Sequence, residues 1–402
     1  MPAAPIVIVG AGLAGGTAAA TLRKEGYEGG ITLIGSEPHP PYERPGLSKA
    51  YLRGETGFDD LLVRPVGFWE ANDVEVVAGA AASGLDVGRR VLILDDGREV
   101  EYDRLLLATG CRNRDPSMIP GADLGGVYSL RTVDDADRLR SAVTPGCRVV
   151  IAGMSFIGSE VAASLAALGA DVTGVMTGSA PLEHIVGRAI GQALSAAHGS
   201  HGVRLIAGER VSAVEGEARV EAVTTSGGTR VPCDVVVLAL GVVPNVELAT
   251  AASIEVEDGI VVDEWCRTSI ERVFACGDVA RYPQPVLGRR IRVEHWQHAR
   301  RHGRAAARAM LGGSEPYVDV PWFWSDQYEH EVQWAGFAVE PDQVVEHTAG
   351  ERRTAFHLQG GSLRAAVTFD DGAQVRAAIP AIGTARAVDP DVLESAGATA
   401  LR

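Results

Sequence analysis

The fold is decided by the N-terminal stretch Pro5-Ile-Val-Ile-Val-Gly-Ala-Gly-Leu-Ala-Gly15. Its first five residues form a continuous apolar run rich in β-branched side chains, which is typical of a fully buried strand. Three glycines with the spacing Gly-x-Gly-x-x-Gly follow, and the alanine-rich residues 16–23 predict a helix. Residues 31–34, Ile-Thr-Leu-Ile, predict the next strand. Together these indicate a βαβ unit with a glycine-rich first turn, an arrangement that binds dinucleotides.

Each glycine of this turn has a physical task in such a site. Gly10 permits the tight turn, Gly12 lets a pyrophosphate approach the backbone at a helix N-terminus, and Gly15 lets the helix pack close to the strand. Glu37, after the second strand, can accept hydrogen bonds from ribose hydroxyls. We therefore predict a cofactor site from these residues and Ala14. The alternative is a glycine turn that packs without a ligand.

A second unit of the same kind follows in the middle of the chain. Its glycine turn lies between two runs that predict strands, and the residues after the turn predict a helix. The segments are the strand Arg148–Ala152, the turn Gly153–Gly158, the helix Ser159–Leu168 and the strand Asp171–Val175. The chain therefore carries two dinucleotide-binding units.

Alternating polar and apolar residues predict a long antiparallel region from about Val320 to Ile382. Examples are the runs at 331–335 and 362–369. We predict an α/β protein with two Rossmann-like dinucleotide-binding domains and a C-terminal α+β domain.

Composition excludes several classes of protein. The chain of 402 residues is long enough for two or three domains, and its net charge of −15 argues against nucleic-acid binding. No apolar run is long enough to span a membrane. Residues 1–9 lack a basic segment and lead directly into a strand, so we expect no signal peptide and a cytoplasmic protein.

The five cysteines are widely spaced, at positions 111, 147, 233, 266 and 276. No Cys-x-x-Cys or Cys-x-x-x-x-Cys pair exists, which excludes a local redox disulfide and a zinc knuckle. We expect buried thiols and no metal site.

The run Gly35-Ser-Glu-Pro-His-Pro-Pro-Tyr-Glu-Arg-Pro-Gly-Leu-Ser-Lys49 resembles a signature of a known enzyme family. That family comprises the FAD-containing, NAD(P)H-dependent ferredoxin and rubredoxin reductases that serve bacterial oxygenases. They are glutathione-reductase-like flavoproteins, related to apoptosis-inducing factor. Further matching segments cover nearly all of the chain: residues 102–110, 238–245, 273–280, 293–299 and 321–328.

The resemblance implies a domain order and a reaction. Residues 1–112 and 243–320 would form the FAD-binding domain, 113–242 the NAD(P)H-binding domain and 321–402 the C-terminal domain. Electrons would pass from NADH or NADPH, with NADH favoured, through FAD to a ferredoxin or rubredoxin. The expected assembly is a monomer or homodimer. The alternative is an FAD oxidase, or a flavoprotein like apoptosis-inducing factor with weak or altered nicotinamide use.

The resemblance also implies roles for individual residues. Lys49 would lie beside the flavin, and Glu160 would face the nicotinamide and pair with that lysine. Arg44 would contact the FAD pyrophosphate or adenosine, Asp278 the ribityl chain, and Trp296 the flavin region. The alternatives are a carboxylate favoured by a helix N-terminus for Glu160, a helix cap for Asp278 and core packing for Trp296.

Further cofactor-binding residues follow from the same motifs. On the FAD side these are Ala108, Thr109, Gly110, Arg112, Gly277, Glu294 and His295. On the nicotinamide side they are Gly153, Ser155, Ile157, Gly158 and Gly241.

The second glycine motif departs from the family pattern. Ser155 replaces its middle glycine, and Met176 replaces the acid expected after the following strand. Ala180 stands where the family often has an arginine, and residues 176–182 contain no Lys or Arg for a 2′-phosphate. We expect weakened nicotinamide binding.

A basic helix is predicted from about Trp296 to Met310. Arg300, Arg304 and Arg308 follow at intervals of four residues and share one face. Because ferredoxins are usually acidic and this chain is acidic overall, we expect a local basic docking surface here. The alternative is a solvated basic face that balances nearby acids.

Overall fold

The computed structural model describes residues 4–337 and 340–401. Residues 1–3, part of the start from which no signal peptide is expected, lie outside the described residues. The same holds for residues 338–339 and 402 of the predicted C-terminal domain. The chain forms two compact units. Unit 1 comprises the described residues of Met1–Glu43, Phe58–Arg112 and Val243–Pro321, and unit 2 those of Arg44–Gly57, Asn113–Val242 and Trp322–Arg402.

The strands are numbered along the chain. They are β1 (Ile6–Val9), β2 (Ile31–Gly35), β3 (Val74–Ala78), β4 (Ala82–Asp86), β5 (Val91–Leu94), β6 (Glu99–Glu101), β7 (Arg104–Leu107), β8 (Cys111–Asn113), β9 (Val127–Tyr128), β10 (Arg148–Ala152), β11 (Asp171–Met176), β12 (Arg204–Ala207), β13 (Val211–Gly216), β14 (Val220–Thr225), β15 (Arg230–Pro232), β16 (Val235–Leu238), β17 (Val242–Pro244), β18 (Ile260–Val261), β19 (Val273–Ala275), β20 (Ala280–Gln284), β21 (Arg289–Arg292), β22 (Trp322–Gln327), β23 (His330–Gly336), β24 (Gln343–Ala349), β25 (Arg352–Gln359) and β26 (Ser362–Phe369).

The helices are numbered in the same way. They are α1 (Leu13–Lys24), α2 (Phe68–Ala71), α3 (Val133–Ala142), α4 (Phe156–Ala167), α5 (Glu183–Val186), α6 (Arg188–Ser200), α7 (Glu247–Ala251), α8 (Trp296–Met310), α9 (Gly372–Gly383) and α10 (Pro390–Ala396). Short 3-10 helices cover Pro45–Ser48, Phe58–Leu61, Gly277–Val279, Pro285–Leu287 and Ala398–Leu401.

Unit 1 is built on a parallel sheet with the strand order β19-β7-β1-β2-β3. Its strands are buried because helices α1 and α8 pack together over one face of the sheet. The two helices approach closely, and a Cβ at Gly303 would overlap the carbonyl oxygen of Ala14. Two three-stranded sheets, β4-β5-β6 and β18-β20-β21, complete the unit.

Unit 2 contains a second parallel sheet, with the order β12-β11-β10-β16-β9. It also contains the small antiparallel sheet β13-β14-β15 and the five-stranded antiparallel sheet β22-β23-β26-β25-β24. Side chains of α5 and α6 share a hydrophobic core with β22, β23 and β26. Two Rossmann-like sheets and a C-terminal α+β region confirm the predicted fold class. The predicted domain boundaries stay a prediction, and the contacts place residues 44–57 in unit 2.

Several element boundaries differ from prediction, most of them by one to three residues. Helices α1 and α4 begin at Leu13 and Phe156, each directly after the middle residue of its glycine motif and not beyond the third glycine. The antiparallel region was predicted to reach Ile382, but its last strand ends at Phe369 and α9 follows. The apolar residues of α9 recur every three to four positions, and the side chains on that face are buried.

Within the described residues, every helix is too short or too polar to cross a membrane. The structure describes all five cysteines, and none of them forms a disulfide. The described His, Cys, Asp and Glu side chains form no group of three or more that could hold a metal ion.

Candidate functional site

The first glycine turn leaves room for a ligand at only one of its three glycines. Gly10 has a φ of 114°, and a Cβ there would overlap the carbonyl oxygen of Ala108. A Cβ at Gly15 would overlap the carbonyl oxygen of Gly10. In contrast, a Cβ at Gly12 would meet no described atom within 4 Å. Since Gly12 is the N-cap of α1, this open space lies where a helix N-terminus can bind a phosphate.

The other predicted FAD residues of unit 1 meet at the same edge of the sheet. The turn at Gly10 follows β1, residues Ala108–Gly110 follow β7, and the Gly277–Val279 helix follows β19. Because these three strands are parallel neighbours, their carboxyl ends lie side by side. A Cβ at Gly277 would lie 2.8 Å from that of Ala14, so the Asp278 segment touches the start of α1.

Hydrogen bonds fix several of these side chains. Glu37 accepts a hydrogen bond from the Tyr42 hydroxyl. The Thr109 hydroxyl donates to the backbone oxygen of Asn245 over 2.8 Å. Arg112 donates to the Asn245 side chain and forms an ion pair of 2.7 Å with Glu247.

The start of α8 carries an aromatic contact. The Trp296 indole N–H donates to a Glu43 carboxylate oxygen over 2.9 Å, and the Arg300 guanidinium lies 5.1 Å from the ring centroid. Burial raises the pKa of Glu43. Burial also lowers the pKa of the neighbouring His295 to about 4, so its ring is neutral at pH 7. Glu294 pairs with Arg292 over 2.5 Å.

The second glycine turn has the same backbone as the first. Gly153 has a φ of 99°, and a Cβ at Gly158 would overlap the Gly153 carbonyl oxygen. Ser155 has φ −82° and ψ −160°, and the corresponding Gly12 has φ −87° and ψ −166°. This conformation suits any residue, so Ser155 occupies the glycine position without backbone strain. The serine at position 155 therefore leaves the backbone of the turn unchanged and adds only a side chain that would face a ligand.

The position of the missing acid is buried. Met176 is 6% exposed, and Ala180 is buried as well. The loop after β11 folds back on the glycine turn, because the Leu182 N–H donates to the Met154 oxygen over 3.1 Å. The next residue, Glu183, accepts hydrogen bonds from the Ser179 N–H and hydroxyl. Glu183 is thus a carboxylate beside this loop that the sequence reasoning missed.

A buried ion pair joins the two predicted catalytic residues. The Lys49 Nζ lies 2.7 Å from the Glu160 Oε2 atom, within unit 2. Glu160 is 6% exposed, and α4 starts four residues before it, so its carboxylate lies in the second turn of the helix. Two hydroxyls complete its environment: Ser48 donates to Oε2 over 2.5 Å and Ser325 to Oε1 over 2.8 Å.

The predicted residues divide between the units. Lys49 and Arg44 lie in unit 2, where Arg44 donates to the backbone oxygen of Arg131. Gly241 also lies in unit 2 and accepts from the Arg114 N–H over 3.0 Å. Ile157 lies in the first turn of α4. The remaining FAD residues lie in unit 1.

Sequence reasoning missed the roles of Ser48 and Ser325. A signal existed for Ser325, because alternate residues of β22 are buried and a serine occupies one of these positions between Phe323 and Gln327. Ser48 gave no such signal, since it lies in a short 3-10 helix.

Known protein families match the chain over most of its length. Residues 4–303 match the family described as pyridine nucleotide-disulphide oxidoreductase. The chain belongs to this family. Residues 322–402 match the reductase C-terminal family.

Individual members of the pyridine nucleotide-disulphide oxidoreductase family agree with this assignment. Rhodocoxin reductase of Rhodococcus erythropolis is 40% identical over 341 residues, which covers 85% of this chain and 80% of the relative. A second relative is the ferredoxin–NAD(+) reductase component of the biphenyl dioxygenase system of Paraburkholderia xenovorans. It is 36% identical over 395 residues, and the match covers 98% of this chain and 96% of the relative. The predicted resemblance to oxygenase-coupled reductases is therefore confirmed.

A solved structure shares the whole fold. The crystal structure of a covalent putidaredoxin reductase–putidaredoxin complex matches with a TM-score of 0.94 and 32% identity, covering 98% of this chain and 96% of the other. Ferredoxin–NAD(+) reductases of this family use FAD and NADH.

Proposed function

We propose that the protein passes electrons from NADH through FAD to a small iron–sulfur protein of an oxygenase system. The observation that carries this proposal is the buried Lys49–Glu160 pair, which joins the segment resembling the flavin signature to the helix that follows the second glycine turn. The relatives include reductases whose names state ferredoxin and NAD(+).

The residues of unit 1 fit FAD. The open space at Gly12 lies over the N-terminus of α1, where backbone N–H groups and the helix dipole favour a pyrophosphate. Glu37 supplies a carboxylate for ribose hydroxyls and Asp278 one for the ribityl chain. When bound, FAD supplies the chemistry that couples a two-electron donor to a one-electron acceptor.

Lys49 and Glu160 are the groups that would act on the flavin and nicotinamide rings. The lysine ammonium can donate a hydrogen bond to a ring and stabilise negative charge on it. The glutamate neutralises Lys49 and, at 2.7 Å, fixes the position of its ammonium group. A buried ion pair is stable only when further hydrogen bonds satisfy its remaining polar atoms, and Ser48 and Ser325 do this.

The nicotinamide would be held weakly. The second glycine turn keeps its geometry, but Met176 supplies no acceptor for the ribose hydroxyls. The buried Met176 therefore also favours the second candidate function, a flavoprotein oxidase or one like apoptosis-inducing factor. A disulfide reductase is disfavoured, because the five described cysteines form no disulfide, and none lies near Lys49 in the sequence.

The partner would dock on the basic surface of α8. Burial, together with the nearby charges of Arg300, Arg64 and Arg308, lowers the pKa of Arg304, which indicates crowded positive charge. Arg308 pairs with Glu25 and Arg301 with Asp319. Within the described residues, Arg300 and Arg304 form no ion pair, so these two would meet an acidic partner.

Stopped-flow absorbance separates the candidate functions. The flavin should bleach with NADH under anaerobic conditions and reoxidise faster with a ferredoxin than with oxygen. The Glu160→Gln variant, matched in shape, should bleach more slowly. Faster reoxidation by oxygen would instead identify an oxidase, and no bleaching with NADH or NADPH would refute the reductase proposal.

A further inference from the structure

The hydrogen bonds of Glu160 continue past its first partners into the C-terminal sheet. Ser325, which donates to the carboxylate, accepts a hydrogen bond from the Gln327 side-chain nitrogen over 3.1 Å. Ser325 is 0% and Gln327 1% exposed, so both side chains are shielded from bulk solvent. Both side chains lie on the buried face of β22. Burying two polar side chains on the core side of a strand costs free energy unless they are hydrogen-bonded.

A buried histidine, His198, interacts with the Gln327 side chain. His198 is in the last turn of α6, and its Nδ1 atom lies 2.9 Å from the Tyr328 hydroxyl. The Tyr328 ring stacks on His201 with 3.7 Å between centroids, and the His201 Nε2 atom lies 3.3 Å from the exposed Glu329. This end of the network therefore reaches solvent.

Gln327 and His198 each carry one buried polar atom that needs a partner. These atoms, Gln327 Oε1 and His198 Nε2, lack a hydrogen bond of standard geometry among the described residues. Burial lowers the pKa of His198 to about 4, and an interaction with the Gln327 side chain opposes that shift. The imidazole is thus neutral at pH 7. A proton on Nε2 would give the amide oxygen the donor it needs, and would leave Nδ1 to accept from Tyr328.

With the proton on Nε2, every contact in this arrangement would point the same way, because the Tyr328 hydroxyl would donate to His198 and His198 toward Gln327. The Gln327 side chain donates to Ser325, and Ser325 donates to Glu160. Successive hydrogen bonds of one direction polarise each other, and the last one stabilises a negative charge at its end. The charge at the end of this chain is the Glu160 carboxylate.

We propose that Ser325, Gln327 and His198 are positioning residues that keep the Glu160 carboxylate ionised and oriented toward Lys49. The inference deepens the proposed function, on which it rests. It links the C-terminal sheet to the ion pair through buried side chains. A carboxylate that loses these donors in a buried site would take up a proton more readily and release Lys49.

The test is the carboxyl titration of Glu160 in the holoenzyme. Glutamate labelled with 13C at the side-chain carboxyl gives one NMR resonance per residue, and Glu160→Gln identifies the resonance in question. Ser325→Ala removes one hydrogen bond to a charged group, so the pKa of Glu160 should rise by about one to two pH units. Gln327→Met should raise it less, and Tyr328→Phe least, because each lies one or more bonds further away.

The matched control is Thr368→Val, which removes an equally buried hydroxyl from β26 of the same sheet outside the chain of donors. It should leave the Glu160 titration unchanged. An equal shift in this control, or a Glu160 that stays ionised in Ser325→Ala over the whole pH range of the folded protein, would overturn the inference. Failure of the proposed function shows separately, as a wild-type flavin that NADH does not reduce while the carboxyl titration remains measurable.

Discussion

Replacing Gly12 by alanine separates cofactor binding from folding. A Cβ at this position meets no described atom within 4 Å, and its φ of −87° suits any residue. The apoprotein should therefore unfold at the same temperature or slightly higher, since alanine restricts the unfolded chain. The methyl group would instead occupy the space through which a pyrophosphate reaches the backbone of α1.

The expected loss follows from the contacts that this space allows. A pyrophosphate held about a methyl radius away loses roughly one charge-assisted hydrogen bond to the helix N-terminus, or about 1.5–3 kcal/mol. FAD should therefore bind roughly ten- to a hundredfold more weakly. Titration of apoprotein with FAD, followed by quenching of flavin fluorescence, measures the dissociation constant, and the wild type should bind one FAD per chain without a covalent link.

A control variant comes from the same turn. Gly15→Ala places a Cβ onto the carbonyl oxygen of Gly10, so it should destabilise the apoprotein itself. An unchanged FAD affinity in Gly12→Ala would refute the assignment of this turn to the pyrophosphate. A wild-type protein that folds but takes up no FAD would refute the FAD site as a whole.

Three further predictions concern the nicotinamide, the partner and pH. Met176→Glu should lower the half-saturating NADH concentration for flavin reduction roughly ten- to a hundredfold, because it restores a charged acceptor for the ribose. Arg300→Glu combined with Arg304→Glu should slow ferredoxin reduction and flatten its salt dependence, and leave flavin reduction by NADH unchanged. Stability should fall as the pH drops from about 6.5 toward 4, because the unfolded chain protonates histidines that are buried and neutral in the folded state. These include His198, with a pKa of about 4, and His302, with a pKa of about 3.

Each of these has its own control. An unchanged half-saturation in Met176→Glu would show that the ribose is held elsewhere, and Glu183→Gln would test that carboxylate as the alternative. Reversing the charge of the exposed Arg89 and Arg98, which lie outside α8, should leave ferredoxin reduction unaffected. For the pH effect, chemical denaturation at pH 7 and pH 5 should give a smaller unfolding free energy at pH 5, and equal values would contradict the neutral buried histidines.

Much of the fold could be predicted because its signals are local. Each glycine turn is encoded by its own residues. The backbone has a positive φ at Gly10 and Gly153, and there is no room for a Cβ at Gly15 and Gly158. The helix Trp296–Met310 was predicted with the boundaries that the structure shows. The prediction is less exact for the C-terminal region. The apolar residues of α9 follow closely after the alternating pattern of the strands, which ends at Phe369, so the predicted antiparallel region extends too far.

The sequence by itself determined the glycine turns, the fold class, the family and the candidate pair of Lys49 and Glu160. Only the tertiary structure decided what surrounds that pair. Ser48 and Ser325 lie 112 and 165 positions from Glu160 along the chain, and they meet it because a 3-10 helix, helix α4 and strand β22 pack together. Spacing within a segment encodes its own backbone conformation, but a contact between distant segments depends on how the elements pack, which no local pattern records.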